Sequence, residues 1–210
     1  MQYNCEDEPW YQLKIANLSI LCSGAGPTAI KVNQALTAAA TQVNGQKDRL
    51  VIDNVTITSQ TTGGYVGVGI HVINTGGVHT KNLKIENPQG AVGVTSCKGI
   101  YFEKTDARVY MIRCLHAVDT YIVFMYSPIY VASGSGGGSI ESLYITNGEF
   151  VHGWIGLTFT GTNLISATSL TGLHMDVAKH AIYAQGTNGS VMRITGCDFR
   201  KGALNNTTGA

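Results

Sequence analysis

The chain has 210 residues, 13% of them charged, with 26 glycines and a net charge of +1 from 14 Lys plus Arg against 13 Asp plus Glu. That length suits one domain with ample chain for a core, and the balanced charge with no basic cluster excludes a phosphate-reading nucleic-acid surface. No apolar run reaches the roughly 18 residues of a membrane-spanning helix, and the acidic start MQYNCEDEPWYQ lacks the basic-then-apolar pattern of an export leader.

In chain order, residues 1–12 form an N-terminal cap or lead-in segment, with Trp10 and Tyr11 placed to cover the exposed end of the first repeat. From residue 13 to 204 two ladders advance together. The first is a hydrophobic-x-hydrophobic signal whose second anchor falls at Ile20, Ile57, Ile85, Ile112, Ile145, Leu170 and Ile194, in contexts such as NLSI, NVTI and NLKI. The second trails it, with AIKV at Ile30, GIHV at Ile70, GIYF at Ile100, YIVF at Ile122, WIGL at Ile155 and AIYA at Ile182. First-ladder anchors stand 24 to 37 residues apart, so each repeat holds two strands and the turns between them. A repeat of that length, broken by Gly, Asn and Ser, predicts one coil of a parallel β-solenoid, here an all-β right-handed β-helix of about six to seven coils. An antiparallel sandwich is the alternative, but its turn signals recur every 8 to 12 residues without a longer period.

Between the first two anchors, NQALTAAATQVNG (33–45) carries helix-forming Ala, Leu and Gln and predicts a short helix across the coil. SGSGGGS (133–139) predicts a flexible loop inside the fourth repeat. Residues 205–210 form a tail with no capping pattern, which reads as a chain that continues.

Cys5, Cys22, Cys97, Cys114 and Cys197 form no CxxC pair, which argues against a zinc site or a dense disulfide framework and fits assembly in a reducing cytoplasm. Cys114 and Cys197 follow first-ladder anchors closely and read as small packing groups. The sequons at Asn17, Asn54, Asn188 and Asn206 would mark glycosylation in a secreted protein. Asn17 and Asn54, with Asn82 of NLKI, instead sit at equivalent repeat positions and read as corner residues, where Asn tolerates left-handed backbone.

These ladders, with turns such as ENPQGAVGV (86–94), ITNGEFVHGWIGL (145–157) and ITGCDFRKGAL (194–204), resemble the right-handed parallel β-helix of the pectate-lyase-like group. Within that group the chain is most similar to the shaft of a bacteriophage tailspike. The resemblance implies a homotrimer in the phage tail of a virion, assembled in the host cytoplasm, that binds and often depolymerises a bacterial capsule or O-antigen. It implies no cofactor, and it lends no catalytic motif that transfers residue by residue.

Candidate chemistry therefore rests on spacing. Four residues past each first-ladder anchor stand Thr61, Gln89, His116, Glu149, His174 and Asp198, polar at every coil. These share the parity of the inward anchors, and a bend after the strand is needed to turn them outward. Asp119 and His152 lie seven past their anchors, Asp176 and Arg200 six past. Glycoside hydrolysis needs a carboxylic acid and a second carboxylate, about 6.5–9.5 Å apart for inversion and about 5 Å for retention. Glu149 and Asp198, two coils apart at roughly 9.6 Å between backbones, suit the inverting type, while Glu149 with Asp176 suits the retaining one. We assign Glu149 as acid, desolvated by Phe150, Val151 and Trp154, and Asp176 or Asp198 as base. His116, Asp119, His152, Trp154, His174 and Arg200 are then the substrate-binding set. A plain solvated corner is the alternative for the whole column. A second candidate is YFEKTDARVYM, with Glu103, Asp106, Arg108 and Tyr110 on a loop whose alternate side chains face outward.

Three functions compete: a glycan depolymerase, a non-catalytic glycan-binding or structural shaft, and a calcium-dependent lyase built on Asp176, Asp198 and Arg200. Convergence of the three carboxyls in a groove favours the first, and carboxyls that point apart favour the shaft.

Overall fold

A computed structural model describes residues 2–5, 13–34, 43–45, 50–59, 64–134, 139–162, 164–186 and 191–202. The strands are β1 (Gln2–Cys5), β2 (Leu13–Cys22), β3 (Thr28–Gln34), β4 (Val43–Gly45), β5 (Leu50–Ser59), β6 (Val68–Ile73), β7 (Val78–Glu86) and β8 (Lys98–Lys104). They continue as β9 (Val109–Val123), β10 (Ser127–Ser133), β11 (Ser139–Thr146), β12 (Glu149–Gly161), β13 (Leu164–Thr171), β14 (His174–Gln185), β15 (Met192–Thr195) and β16 (Asp198–Lys201). Among the described residues all the pairings are parallel, and all but that of β4 with β9 link strands of successive repeats, so the chain is an all-β parallel β-solenoid of about five turns. The turns number about five, fewer than the six to seven coils that the ladder anchors suggest.

Each turn presents three faces. Face one is the start of β2, β5 and β7, the middle of β9, and β11, β13 and β15. Face two is the remainder of β2, β5, β7 and β9, the start of β12 and β14, and β16. Face three is β3, β6, β8, β10 and the far halves of β12 and β14, with β1 paired to β3.

The corner between faces one and two has a chemical cause. Asn17, Asn54, Asn82, Asp119, Asn147, Gly172 and Gly196 occupy it in register, and all have φ between 48° and 61°. Side chains with a Cβ resist that left-handed region, and Gly, Asn and Asp are the residues that enter it at least cost. The Asn54 amide also donates to Asn17 Oδ1 at 2.8 Å, tying adjacent coils along the corner. The corner reading of Asn17, Asn54 and Asn82 therefore holds, while Asn188 and Asn206 lie outside the described residues.

The interior is a set of stacked columns. Ile20, Ile57, Ile85, Ile122, Phe150 and Met175 form one on face two. On face one Ile15, Ile52, Thr80, Ala117, Ile145 and Leu170 form another, and on face three Ile30, Ile70, Ile100, Ile129, Leu157 and Ile182 form a third. The first ladder thus divides: Ile20, Ile57 and Ile85 follow the corner, whereas Ile145, Leu170 and Ile194 precede it. Ile112 stacks with Ile140 and Ile165, one step further out. Ile122 leaves the second ladder, whose member in that coil is Ile129. The difference is distance from the corner: Ile112 stands seven residues before Asp119, whereas Ile145, Leu170 and Ile194 each stand two before Asn147, Gly172 and Gly196.

The ends of the predicted 33–45 helix are strand residues of β3 and β4, and its middle lies outside the described residues, as do Trp10, Tyr11 and the tail 205–210. Ser133 closes β10 and Ser139 opens β11, with 135–138 of the predicted loop undescribed. Cys22 and Cys97 are buried free thiols and Cys197 is half-buried against the core, a packing role, while the Cys114 side chain is not among those described. Burial pushes the Cys97 thiol up to about 11.

Candidate functional site

Half of the column counted from the anchors stands together on one face. Glu149, His174 and Asp198 are in direct register on face two, continuing outward positions Lys84 and Tyr121. The left-handed residues at Asn147, Gly172 and Gly196 reverse the strand's parity, so positions four past an inward anchor emerge outward. Asp176 and Arg200 stand in the neighbouring column, after Val151. Glu149, Asp176, Asp198, His174 and Arg200 therefore share one face over three coils.

The other half is scattered. His116 is on face one, paired with His79 and Tyr144, because its anchor Ile112 stacks a step away from Ile145. Gln89 opens a short 3-10 segment, Gln89–Gly93, and Thr61 lies outside the described residues. Asp119 is the exposed corner residue of its coil. His152 ends face two at φ 54°, stacked 5.0 Å from the Phe124 ring, and half-buried Trp154 leads into face three.

The surroundings of the three carboxyls differ from one another. Glu149 is exposed, and Phe150 beside it points inward at 0% exposure, so that ring does not shelter the carboxyl. Asp198 is engaged by Arg200 at 2.7 Å and by His174 Nδ1 at 3.4 Å. The Arg200 hydrogen bond, with the charge beside it and His174, holds the Asp198 carboxyl below the usual range. Asp176 Oδ1 is buried against Gly202 with no hydrogen-bond partner among the described residues. Among the described residues no group of three or more His, Cys, Asp or Glu is placed to hold a metal ion.

The second candidate divides in the same way. Asp106 and Arg108 form a closed turn, with Arg108 donating to the Asp106 carboxylate from Nη2 at 2.7 Å and from Nε at 3.1 Å. These bonds hold Asp106 below its ordinary range. The Tyr110 side chain is not among those described. Glu103 belongs to a strand instead, in a cluster on face three that spacing alone does not reveal. There His71 stacks on Tyr101 at 4.4 Å, Tyr101 meets Tyr130 edge-on at 5.2 Å, and Lys98 Nζ sits 4.4 and 4.5 Å from the two tyrosine centroids. His71 Nε2 reaches Glu103 Oε1 at 3.0 Å, off the hydrogen-bond line. The His71 and Glu103 side chains are only 15% and 14% exposed, so this is a close-packed polar network on the outer side of face three.

Burial opposes ionisation of Glu103, but His71, the Tyr101 hydroxyl and the Lys98 charge together outweigh it and hold the carboxyl below its ordinary range. A group depressed in the folded state stabilises above its unfolded pKa, near 4.3 for Glu, and loses that contribution as pH falls through the folded value. Glu103→Gln is expected to cost about 1–2 kcal/mol at pH 7, with the gap to wild type closing as the pH is lowered below about 4. Urea midpoints of both proteins from pH 7 to pH 3 check this, and a gap that stays constant would remove the carboxylate from the account.

Face one carries a further outward constellation. His79, His116, Tyr144, Ser169 and Arg193 form one outward column in unbroken register. His79 meets His116 edge-on at 4.9 Å, and His116 meets Tyr144 edge-on at 4.7 Å. Tyr144 is 40% exposed, a large ring left in solvent. Two cavities flank the column: one of about 260 Å³ at Asp53, His79, Lys81 and His116, and one of about 420 Å³ at Tyr144, Ser166, Ser169 and Arg193. At roughly 4.8 Å per strand, the column from His79 to Arg193 runs about 19 Å along the solenoid axis. Repeat reasoning singled out His116 alone here. The missed signal was the aromatic or polar residue three places before each corner: His116 before Asp119, Tyr144 before Asn147.

The backbone beside the larger cavity is also unusual. Ser142 and Ala167 are in register and left-handed, at φ 61° and 55°. Neither residue type favours that region, and such outliers gather where function holds them.

Comparison with known proteins finds no family model, no curated protein and no solved structure that matches this chain. The parallel β-solenoid is thus the level at which this chain is classed.

Proposed function

We propose that this chain binds an extended glycan along face one, as the non-catalytic shaft of a phage-tailspike-type protein that recognises bacterial capsule or O-antigen. The observation that carries the reading is the unbroken outward column from His79 to Arg193, which joins two cavities and leaves the Tyr144 ring exposed. Solvent-facing rings and hydroxyls at a regular axial rise suit a polymer of sugar rings. Homotrimeric assembly on a virion belongs to the same reading.

Surface plasmon resonance on a panel of immobilised capsules and O-antigens tests it. Saturable binding to at least one polymer is expected, and Tyr144→Ala is expected to weaken it about ten- to thirty-fold, the scale of one buried aromatic anchor. Wild-type protein that binds none of the panel would remove the reading.

Depolymerisation is the second reading, favoured by one observation: Glu149, His174 and Asp198 stand in a single outward column with Asp176 beside it. Released reducing ends would support it, provided that Glu149→Gln abolishes them and leaves binding intact. Release unaffected by Glu149→Gln would move the chemistry elsewhere.

A further inference from the structure

We infer that the cavity at Tyr144 and Arg193 is a subsite for a carboxylate-bearing sugar residue, so that the glycan bound along face one is acidic. This rests on the glycan-binding reading and names the class of polymer that the same face takes.

Arg108 and Arg200 are held by Asp106 and Asp198. Arg193 has no hydrogen-bond or ion-pair partner among the described residues, and it is the single charged side chain in the lining of the 420 Å³ cavity. No carboxylate of this chain lines that space among the described residues. A guanidinium offers five N–H donors in a planar fork that matches a carboxylate in bidentate fashion. Around it the hydroxyls of Ser166 and Ser169 supply neutral donors and acceptors, and the Tyr144 ring supplies a flat apolar wall. Those are the three needs of a uronic acid: an anion partner at one edge, hydroxyl partners around the ring, and a surface for its C–H face. The volume holds a single pyranose with space to spare. Lys81 at the far cavity adds a second cation on the same face, opposed there by Asp53.

A sulfated or phosphorylated sugar would meet the same guanidinium, so the test removes carboxylates selectively. Each capsule and O-antigen that the wild type binds is prepared in native form and in carboxyl-reduced form, in which uronic acids become neutral hexoses. Affinities are measured for wild type and Arg193→Gln. The expected result is that reduction weakens wild-type binding about tenfold or more, the scale of one charge-assisted bidentate contact. Arg193→Gln should bind the native polymer as weakly as the wild type binds the reduced one, with the reduced polymer unaffected by the substitution. Native binding should also fall as salt rises.

Equal affinity for native and reduced polymers overturns the carboxylate subsite and leaves glycan binding standing. Loss on reduction that Arg193→Gln does not reproduce overturns the assignment of this cavity. No binding of any polymer by the wild type overturns both the subsite and the reading on which it rests. Arg193 is exposed on the surface of β15, so a thermal melt of Arg193→Gln that matches the wild type shows that affinity, not folding, is being read.

Discussion

Phe102→Ala is expected to lower the free energy of unfolding by about 3–5 kcal/mol, the range for deleting a buried phenylalanine side chain. Phe102 is fully buried on face three, where Val32, Val72, Phe102, Val131 and Phe159 stack in register. Two large rings share this column with smaller valines. A solenoid has little means of closing the resulting hole, because the coils above and below are held at a fixed spacing by backbone hydrogen bonds on all three faces. Urea denaturation of wild type and variant checks the prediction. An unchanged m-value with a midpoint shift worth less than about 1 kcal/mol would show an interior that relaxes freely. Tyr144 lies on face one, so the folded variant should keep the glycan affinity of the wild type.

Asn87→Ala is expected to cost about 2–6 kcal/mol, since it leaves two buried backbone groups unpaired at about 1–3 kcal/mol each. Asn87 is 3% exposed. Its Oδ1 accepts from the Val66 amide at 2.6 Å, while Nδ2 donates to the Val66 carbonyl at 2.9 Å and to Met125 Sδ at 3.1 Å. One side chain thereby completes the backbone bonding of the coil before and touches the coil after, at a place between strands. Val66 itself is fully buried, so water cannot replace the lost partner. Asn87→Asp restores the acceptor but not the donor, and it buries a charge, so it should be no more stable than Asn87→Ala. Hydrogen exchange at the Val66 amide gives the local readout: protected in the wild type and faster in Asn87→Ala by a larger factor than amides of face one. Equal acceleration everywhere would instead mean that the whole stack opens together.

The candidate sites show where sequence reasoning reaches and where it stops. Counting from Ile145, Leu170 and Ile194 brought Glu149, His174 and Asp198 into one column, because those three coils share the same corner spacing. The identical count from Ile112 sent His116 to the wrong face, because Ile112 stands seven residues before its corner at Asp119 rather than two. Exposure of Glu149 was equally out of reach, since Phe150 next to it points inward by strand alternation while neighbouring apolar letters suggest shelter. The clustering of His71, Lys98, Tyr101, Glu103 and Tyr130 across three repeats left no trace that a single repeat could carry.

What this sequence determined by itself is local: where strands alternate, and where the backbone turns left-handed at Asn17, Asn54 and Asn82. Both come from properties of individual residues, the two-residue period of a strand and the steric tolerance of Asn and Gly. Which side chains stand above one another was decided only in the tertiary structure. That depends on hydrogen-bond register between coils some thirty residues apart, where the length of one strand or one extra left-handed residue shifts a whole column. The face-one track from His79 to Arg193 is such a product, assembled from five repeats by register alone.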